Sequence, residues 1–417
     1  MLTTVGTAKG GAARGALLLG PAFVAAIAYV DPGNVAANIT AGAKYGYLLI
    51  WVLVVANVMA VMIQYQSAKL GLVSGRSLPQ VLGERLPRGA RLAFWGQAEI
   101  VAAATDIAEV IGGAVALHLL FGLPLVFGGV IVGVASLLLL MLQGRRQRRF
   151  EAVIMVLLAV IVVGFLAGLV VDPPDGGSIL SGLVPRLDGT ETVLLAASML
   201  GATVMPHAIY LHSSLVLDRH GASGEAAVDR DRRLRRLVRV TRYDVLIALA
   251  VAGTVNIALL VLAAHSLRGR EGTDTIEGAH AAVRDSLGPA VAAVFAVGLL
   301  ASGLASTSVG SYAGASIMAG LLKRRIPRFV RRAVTLIPAL IVLGSGVEPT
   351  TALVISQVVL SFGIPFALIP LRRYTADRAI MGSYADGAVL RWGSMVAAVV
   401  IVVLNVALIG LTLTGAG

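Results

Sequence analysis

The chain has 417 residues, 57% of them hydrophobic and only 13% charged, with a mean hydropathy of +0.88. Soluble domains carry about 25% charged residues, so this composition excludes one and indicates a polytopic membrane protein. Cysteine is absent, which excludes a disulfide framework, a thiolate metal site and a cysteine nucleophile.

Hydropathy marks about eleven apolar spans, near 17–41, 46–71, 92–120, 122–142, 151–171, 191–217, 243–266, 287–322, 330–345, 350–371 and 391–413. A hydrocarbon core of about 30 Å needs runs of this length. The runs are continuous rather than alternating, so helices are expected and a β-barrel is not. The run at 287–322 exceeds one crossing, so it tilts or extends beyond the bilayer. Lys9 and Arg14 before the first span resemble a signal-peptide start. That apolar run continues into a polar motif a cleaved leader would not need.

Basic residues collect in alternate loops. Arg76, Arg85, Arg88 and Arg91 follow the second span, and Arg145, Arg146, Arg148 and Arg149 the fourth. Arg230, Arg232, Arg233, Arg235, Arg236, Arg239 and Arg242 follow the sixth. Lys323, Arg324, Arg325 and Arg328 follow the eighth, and Arg372, Arg373 and Arg378 the tenth. The intervening loops are acidic (VVDPPDGG) or mixed (268–285). This is the positive-inside pattern. It places the N-terminus in the cytoplasm and the C-terminus outside a cell inner (plasma) membrane. The net charge of +12 is therefore topological, and no nucleic-acid partner is expected. The sixth loop is read as solvated or facing lipid headgroups.

Two spans are interrupted. The first contains AYVDPGNVAAN, residues 28–38. Pro32 has no amide hydrogen for the carbonyl of Ala28, and Gly33 loosens the backbone further. Asp31 adds a charge that costs about 2.5–3.5 kcal/mol at a membrane centre on insertion scales. The sixth span contains GATVMPHAIYLHSS, residues 201–214, where Pro206 frees the carbonyl of Ala202. Breaks at the first position of two successive five-span halves point to an inverted-repeat transporter with its substrate between them. The halves are expected at 15–172 and 190–372, with an extra helix at 390–413, in one transmembrane domain over 1–417.

The donors at the breaks are the Asp31 carboxylate, the Asn34 amide oxygen, the Met205 thioether and the carbonyls of Ala28 and Ala202. Together they suit a cation. Sulfur disfavours hard Mg²⁺ or Ca²⁺ and favours softer Mn²⁺, Fe²⁺ or Cd²⁺. Each residue also has a plainer reading. Asp31 can cap a half-helix, Pro206 can kink one, Met205 can fill space, and His207 can be a hydrogen-bonded interior histidine. On the third span Glu99, Asp106 and Glu109 share one helical stripe. On its own that stripe reads as a structural ion-pair network, with Arg331 and Arg332 on the ninth span as natural partners. His212, five residues past His207, points to another face.

The motifs DPGN and MPH resemble those of the Nramp family of proton-coupled divalent metal transporters (MntH-type in bacteria). YVDPGNVAANITAG, IQYQSAKLGL, QAEIVAAATDIAEVIGGA, ATVMPHAIYLHSSLV, STSVGSYAG and SQVVLSFGIPFALIPL resemble family segments, in family order, across essentially the whole chain. The resemblance implies an all-α membrane protein of LeuT-like inverted five-helix repeats, about 11 transmembrane helices with helices 1 and 6 broken. It implies Asp31, Asn34 and Met205 as side-chain metal ligands, Ala28 and Ala202 as carbonyl ligands, and Gln357 approaching the metal on occlusion. It implies a polar route for protons from Asp31 and His207 through Asp106 and Glu109 toward Arg331 and Arg332, with Glu99 on the same stripe and His212 a weaker candidate. The chain departs from the family pattern at Ala208, where Asn is usual, at Leu304 and Ala315, where Gln is frequent, and at Ala37, where Thr is common.

The expectation is proton-coupled import of Mn²⁺ or Fe²⁺ by alternating access, with no cofactor, no enzymatic activity and no obligatory protein partner beyond the bilayer. A LeuT-like Na⁺-coupled carrier of another solute is the first alternative; Met205 beside Asp31 argues against it. An intramembrane metal-dependent hydrolase is the second; there is no HExxH, and a thioether is a poor ligand for activating water.

Overall fold

The computed structural model describes residues 20–143, 147–221, 227–270, 272–323 and 327–414, and no strand occurs among them. Lys9, Arg14, Arg145, Arg146, Arg324 and Arg325 lie outside the described residues.

The first span is two pieces. Helix α1 (Pro21–Ala26) and a 3₁₀ turn (Ile27–Val30) end at Asp31, whose backbone is extended, and α2 (Pro32–Tyr45) restarts with proline in its first turn. Proline suits that position because its missing N–H would have no helical partner there. After a 3₁₀ turn, α3 (Ile50–Ser74) closes on Gly75 in the left-handed conformation. Then come α4 (Leu78–Arg85), α5 (Arg88–Phe121), α6 (Leu125–Gln143), α7 (Gln147–Val171) and α8 (Gly176–Ser181). The second broken span is α9 (Gly189–Thr203) and α10 (Pro206–His220), with Val204 and Met205 between them out of helical geometry. The rest is α11 (Ala227–Ser266), α12 (Ile276–Leu287), α13 (Pro289–Leu321), α14 (Arg328–Gly344), α15 (Pro349–Ala376), the single turn α16 (Arg378–Met381) and α17 (Ala388–Thr414).

Among the described residues, eight stretches are long and apolar enough to cross a membrane, and three shorter apolar helices stand at Pro21–Val30, Leu125–Leu139 and Arg332–Gly344. One of the eight, Pro32–Ser74, holds the second half of span 1 together with span 2. With that division, all eleven expected spans have a helix. At 33 residues α13 is about 50 Å long, so it exceeds one perpendicular crossing as its sequence indicated.

Besides the short α8 and α16, three longer segments read as loops are helical. Leu78–Arg85 is α4, and the backbone N–H of Ser77 before it donates to Gln80 Oε1 at 2.8 Å. The mixed loop at 268–285 holds most of α12, capped by Thr275, which accepts from Gly278 N at 3.0 Å. The arginine segment after span 6 is the start of α11, which extends well before the expected residue 243. Charge density hid these helices, because hydropathy reports immersion and not backbone conformation.

Polar contacts close both ends of the bundle. At the arginine-rich end Asp244 of α11 accepts from Gly20 N at 3.2 Å and Ala22 N at 3.1 Å, holding the start of α1. Arg219 of α10 pairs there with Glu151 of α7 at 3.1 Å, and Lys69 of α3 pairs with Asp386 before α17. At the opposite end Lys44 and Tyr45 of α2 both donate to Glu191 of α9, at 2.6 and 2.7 Å.

Candidate functional site

Asp31 caps α2: its Oδ1 accepts from the backbone N–H and the side-chain Nδ2 of Asn34, both at 2.8 Å. The capping role seen in the sequence is therefore real, and it leaves Oδ2 for another partner. The backbone groups that the break frees must be satisfied within the protein, since hydrocarbon offers nothing. The Tyr29 carbonyl accepts from Asn256 Nδ2 at 2.7 Å, and the Val30 carbonyl from Ser302 Oγ at 2.6 Å. Asn256 also accepts from Asn38 Nδ2 at 3.0 Å, so one α11 side chain ties together both halves of span 1. Sequence reading missed Asn256 and Ser302. The available signal was a lone amide and a hydroxyl inside otherwise apolar spans.

The two breaks face each other. Asn34 Nδ2 also donates to the Ala202 carbonyl at 3.0 Å, and Gln357 Nε2 of α15 donates to Asp31 Oδ2 at 3.2 Å. Asp31, Asn34, Ala202 and Gln357 thus form one hydrogen-bonded cluster drawn from three spans. Met205 stands in the second break, three residues after Ala202, and Ala28 in the 3₁₀ turn before Asp31; both are buried. Asp31, Asn34, Met205 and Gln357 have no accessible surface. Asn34 Oδ1 and Gln357 Oε1 have no hydrogen-bond partner. Buried orphan acceptors are costly, and two of them beside a carboxylate make an oxygen-rich place for a cation. A cavity of 630 Å³ lies elsewhere, between α4, α10 and α13, lined by Gln80, Ser214, Asp218 and Tyr312. The cluster itself is occluded.

Two glycines let α15 reach the cluster. A Cβ on Gly201 would lie 2.1 Å from the Gln357 carbonyl oxygen, and one on Gly33 would lie 1.6 Å from Gln357 Nε2. The first clash is with backbone and the second with the end of a flexible side chain. Gly201→Ala is expected to cost about 1–3 kcal/mol by forcing α15 away, and Gly33→Ala less. Thermal unfolding in detergent checks this; an unchanged Tm for Gly201→Ala would mean that α15 is not held against the second break.

A second polar cluster runs off the first. His207 Nδ1 lies 3.4 Å from Thr105 Oγ1 on α5. The next residue, Asp106, accepts from Arg332 Nη1 of α14 at 2.8 Å, and Arg332 Nε donates to Ser136 Oγ of α6 at 3.1 Å. Asp106, Glu109 and Arg332 are each 1% exposed, and Glu109 lies within electrostatic reach of Asp106, Arg332 and Asp31. Glu99 is less buried, two turns back along α5 toward the arginine-rich end. The side chain of Arg331 lies outside the described residues. His212 sits apart from this path: its Nδ1 is 2.9 Å from Gln64 Oε1, and Gln64 Nε2 donates to the Tyr29 hydroxyl at 2.6 Å.

A family profile described as Natural resistance-associated macrophage protein-like (Nramp) matches residues 22–411. The divalent metal cation transporter MntH of Mycobacterium tuberculosis (strain ATCC 25618 / H37Rv) is 60% identical over 95% of this chain and 92% of its own length. MntH of Bacillus subtilis (strain 168) is 47% identical, over 95% and 92%. Among solved structures, the Eremococcus coleocola manganese transporter bound to an aromatic bis-isothiourea compound superposes with a TM-score of 0.83 at 29% identity, covering 97% of this chain and 87% of that one. Mhp1, a nucleobase-cation-symport-1 family transporter, shares the fold alone, with a TM-score of 0.57 at 16% identity over 95% and 91%.

Proposed function

The chain belongs to the Nramp family, and on that premise we propose that it imports Mn²⁺ or Fe²⁺, and soft divalents such as Cd²⁺, together with protons by alternating access. At the coarser level the assignment is direct: this is a multi-pass, LeuT-fold transporter of divalent metal cations and not an enzyme. The proposed halves are residues 15–172 and 190–372, with 390–413 an added helix, the N-terminus cytoplasmic and the C-terminus outside.

The observation that carries the metal reading is the pair of orphan amide oxygens, Asn34 Oδ1 and Gln357 Oε1, around the buried Asp31 carboxylate. Amide N–H groups of Asn34 and Gln357 now hydrogen-bond that carboxylate. An arriving dication would take their place, and the Asn34 and Gln357 amides would turn their oxygens toward it. Met205 would add the thioether, and Ala28 and Ala202 the carbonyls. The same carboxylate can hold a proton or a metal but not both, which links metal arrival to proton release. His207, Asp106, Glu109 and Arg332 supply a buried polar route for that proton, with Glu99 and Arg331 farther along it and His212 in the separate Gln64–Tyr29 contact.

Mn²⁺ uptake into proteoliposomes, acid outside, with Mg²⁺ or Ca²⁺ in large excess, tests the reading. Saturable uptake that resists both competitors and grows with the proton gradient is expected. Uptake abolished by Mg²⁺, or indifferent to the gradient, would move the substrate or the coupling ion elsewhere. Met205→Ala is expected to keep much Mn²⁺ uptake while admitting competition from Ca²⁺ or Mg²⁺, because the soft donor that disfavours hard ions is gone. Unchanged competition curves would remove Met205 from selectivity.

A further inference from the structure

Helix α11 does not stop at a membrane edge. It runs for 40 residues, about 60 Å. Exposed side chains recur along one face at spacings of four and three: Arg232, Arg236, Arg239, Tyr243, Leu246 and Ala250. Such spacing keeps them on one stripe. The stripe is apolar at one end and cationic at the other, and the change falls at Tyr243, 58% exposed. An aromatic ring with a polar tip belongs at the boundary between hydrocarbon and headgroups.

The apolar half of the stripe is one wall of a groove. Leu246, Ile247, Ala250 and Val251 of α11 face Val162 and Leu166 of α7 across a space of 390 Å³. The cationic half is unpaired. Arg235 is held by Asp231 at 2.5 Å, and Arg233 donates to the His220 carbonyl at 2.6 Å. Arg236 and Arg239 have no hydrogen bond or ion pair among the described residues. They lie about 5 Å apart along the axis, and Arg239 is about 10 Å from Leu246.

We propose that this face of α7 and α11 is a binding site for an anionic glycerophospholipid, one acyl chain in the groove and the phosphodiester between Arg236 and Arg239. Guanidinium groups match phosphate oxygens in geometry as well as charge. A zwitterionic lipid brings its own ammonium and gains little from two more cations. An anionic one gains about 1 kcal/mol per arginine near the surface. A free phosphate would use the arginines and ignore the groove; the continuity of groove, tyrosine and arginines on one stripe favours the lipid. The opposite, buried face of the same helix carries Asp244, which holds the first residues of α1. The lipid therefore sits on the helix that holds the start of α1.

Native mass spectrometry of the full chain in detergent, with equal phosphatidylglycerol and phosphatidylcholine added, tests the site. Wild type is expected to retain phosphatidylglycerol with about a tenfold preference or more. Arg236→Gln/Arg239→Gln is expected to lose the preference, and Ala250→Trp, which fills the groove and leaves the arginines, to lose retention. All these positions are exposed, so Tm should stay near wild type; Arg239→Gln alone, with a partial loss, covers the case of a double variant that fails to fold. Equal retention of both lipids by wild type overturns the proposal. So does a preference that survives the arginine changes. Retention that survives Ala250→Trp reduces the site to headgroup attraction without a groove. Displacement of the lipid by millimolar inorganic phosphate reassigns it to free anions.

Discussion

Asp31→Asn is expected to leave a folded protein that no longer takes up Mn²⁺. The substitution separates two jobs of one side chain. As a cap, Asn is about as good as Asp, so the contacts that start α2 at Asn34 N survive. As a charge, it is gone. The other groups proposed to hold the metal, the Asn34 and Gln357 amides, the Ala202 carbonyl and the Met205 thioether, are all neutral and fully buried. A dication there would have no countercharge, and leaving a buried charge uncompensated costs about 3–5 kcal/mol. At about 1.4 kcal/mol per factor of ten, uptake at low Mn²⁺ should fall more than about 100-fold while Tm changes little. Asp31→Ala should lose the cap as well, lowering Tm in addition. Uptake by Asp31→Asn within tenfold of wild type would refute the placing of the metal at the breaks.

Much of this site was legible because prolines and charges in apolar runs need reasons. Pro32 and Pro206 marked both breaks, and Asp31 marked the carboxylate at the first. What the sequence withheld was mostly tertiary. Nothing local says which polar groups satisfy the carbonyls of Tyr29 and Val30; the answer lies more than 200 residues away, in Asn256 and Ser302. Gln357 came from the family pattern. Its physical reason, the close approach allowed by Gly33 and Gly201, appears only with α15 in place. Sequence named both Arg331 and Arg332, because neighbouring positions cannot be told apart without the fold. The fold turns Arg332 inward onto Asp106. The helices α4 and α12 were hidden for another reason: amphipathic segments beside the membrane look like loops to any measure of average hydropathy.

Removing Arg332 is the sharpest way to separate structure from proton movement. Its guanidinium is 1% exposed and spans two helices, from Asp106 of α5 at 2.8 Å to Ser136 of α6 at 3.1 Å. Arg332→Met leaves Asp106, with Glu109 one turn away, buried and without its nearest countercharge. That should cost about 3–5 kcal/mol, seen as a large fall in Tm. Arg332→Lys keeps a charge but not the planar fork that reaches both partners, and should fall between. The double variant Arg332→Met/Asp106→Asn removes both charges of the pair, so it should recover about 2 kcal/mol or more relative to Arg332→Met alone. Stability and coupling then part company. If Asp106 carries the proton, the double variant regains Tm and Mn²⁺ binding, yet pH-dye signals in liposomes show no metal-driven proton entry. If the double variant regains stability and proton movement together, the Asp106–Arg332 pair is a strut between α5 and α14, and the proton takes another way out.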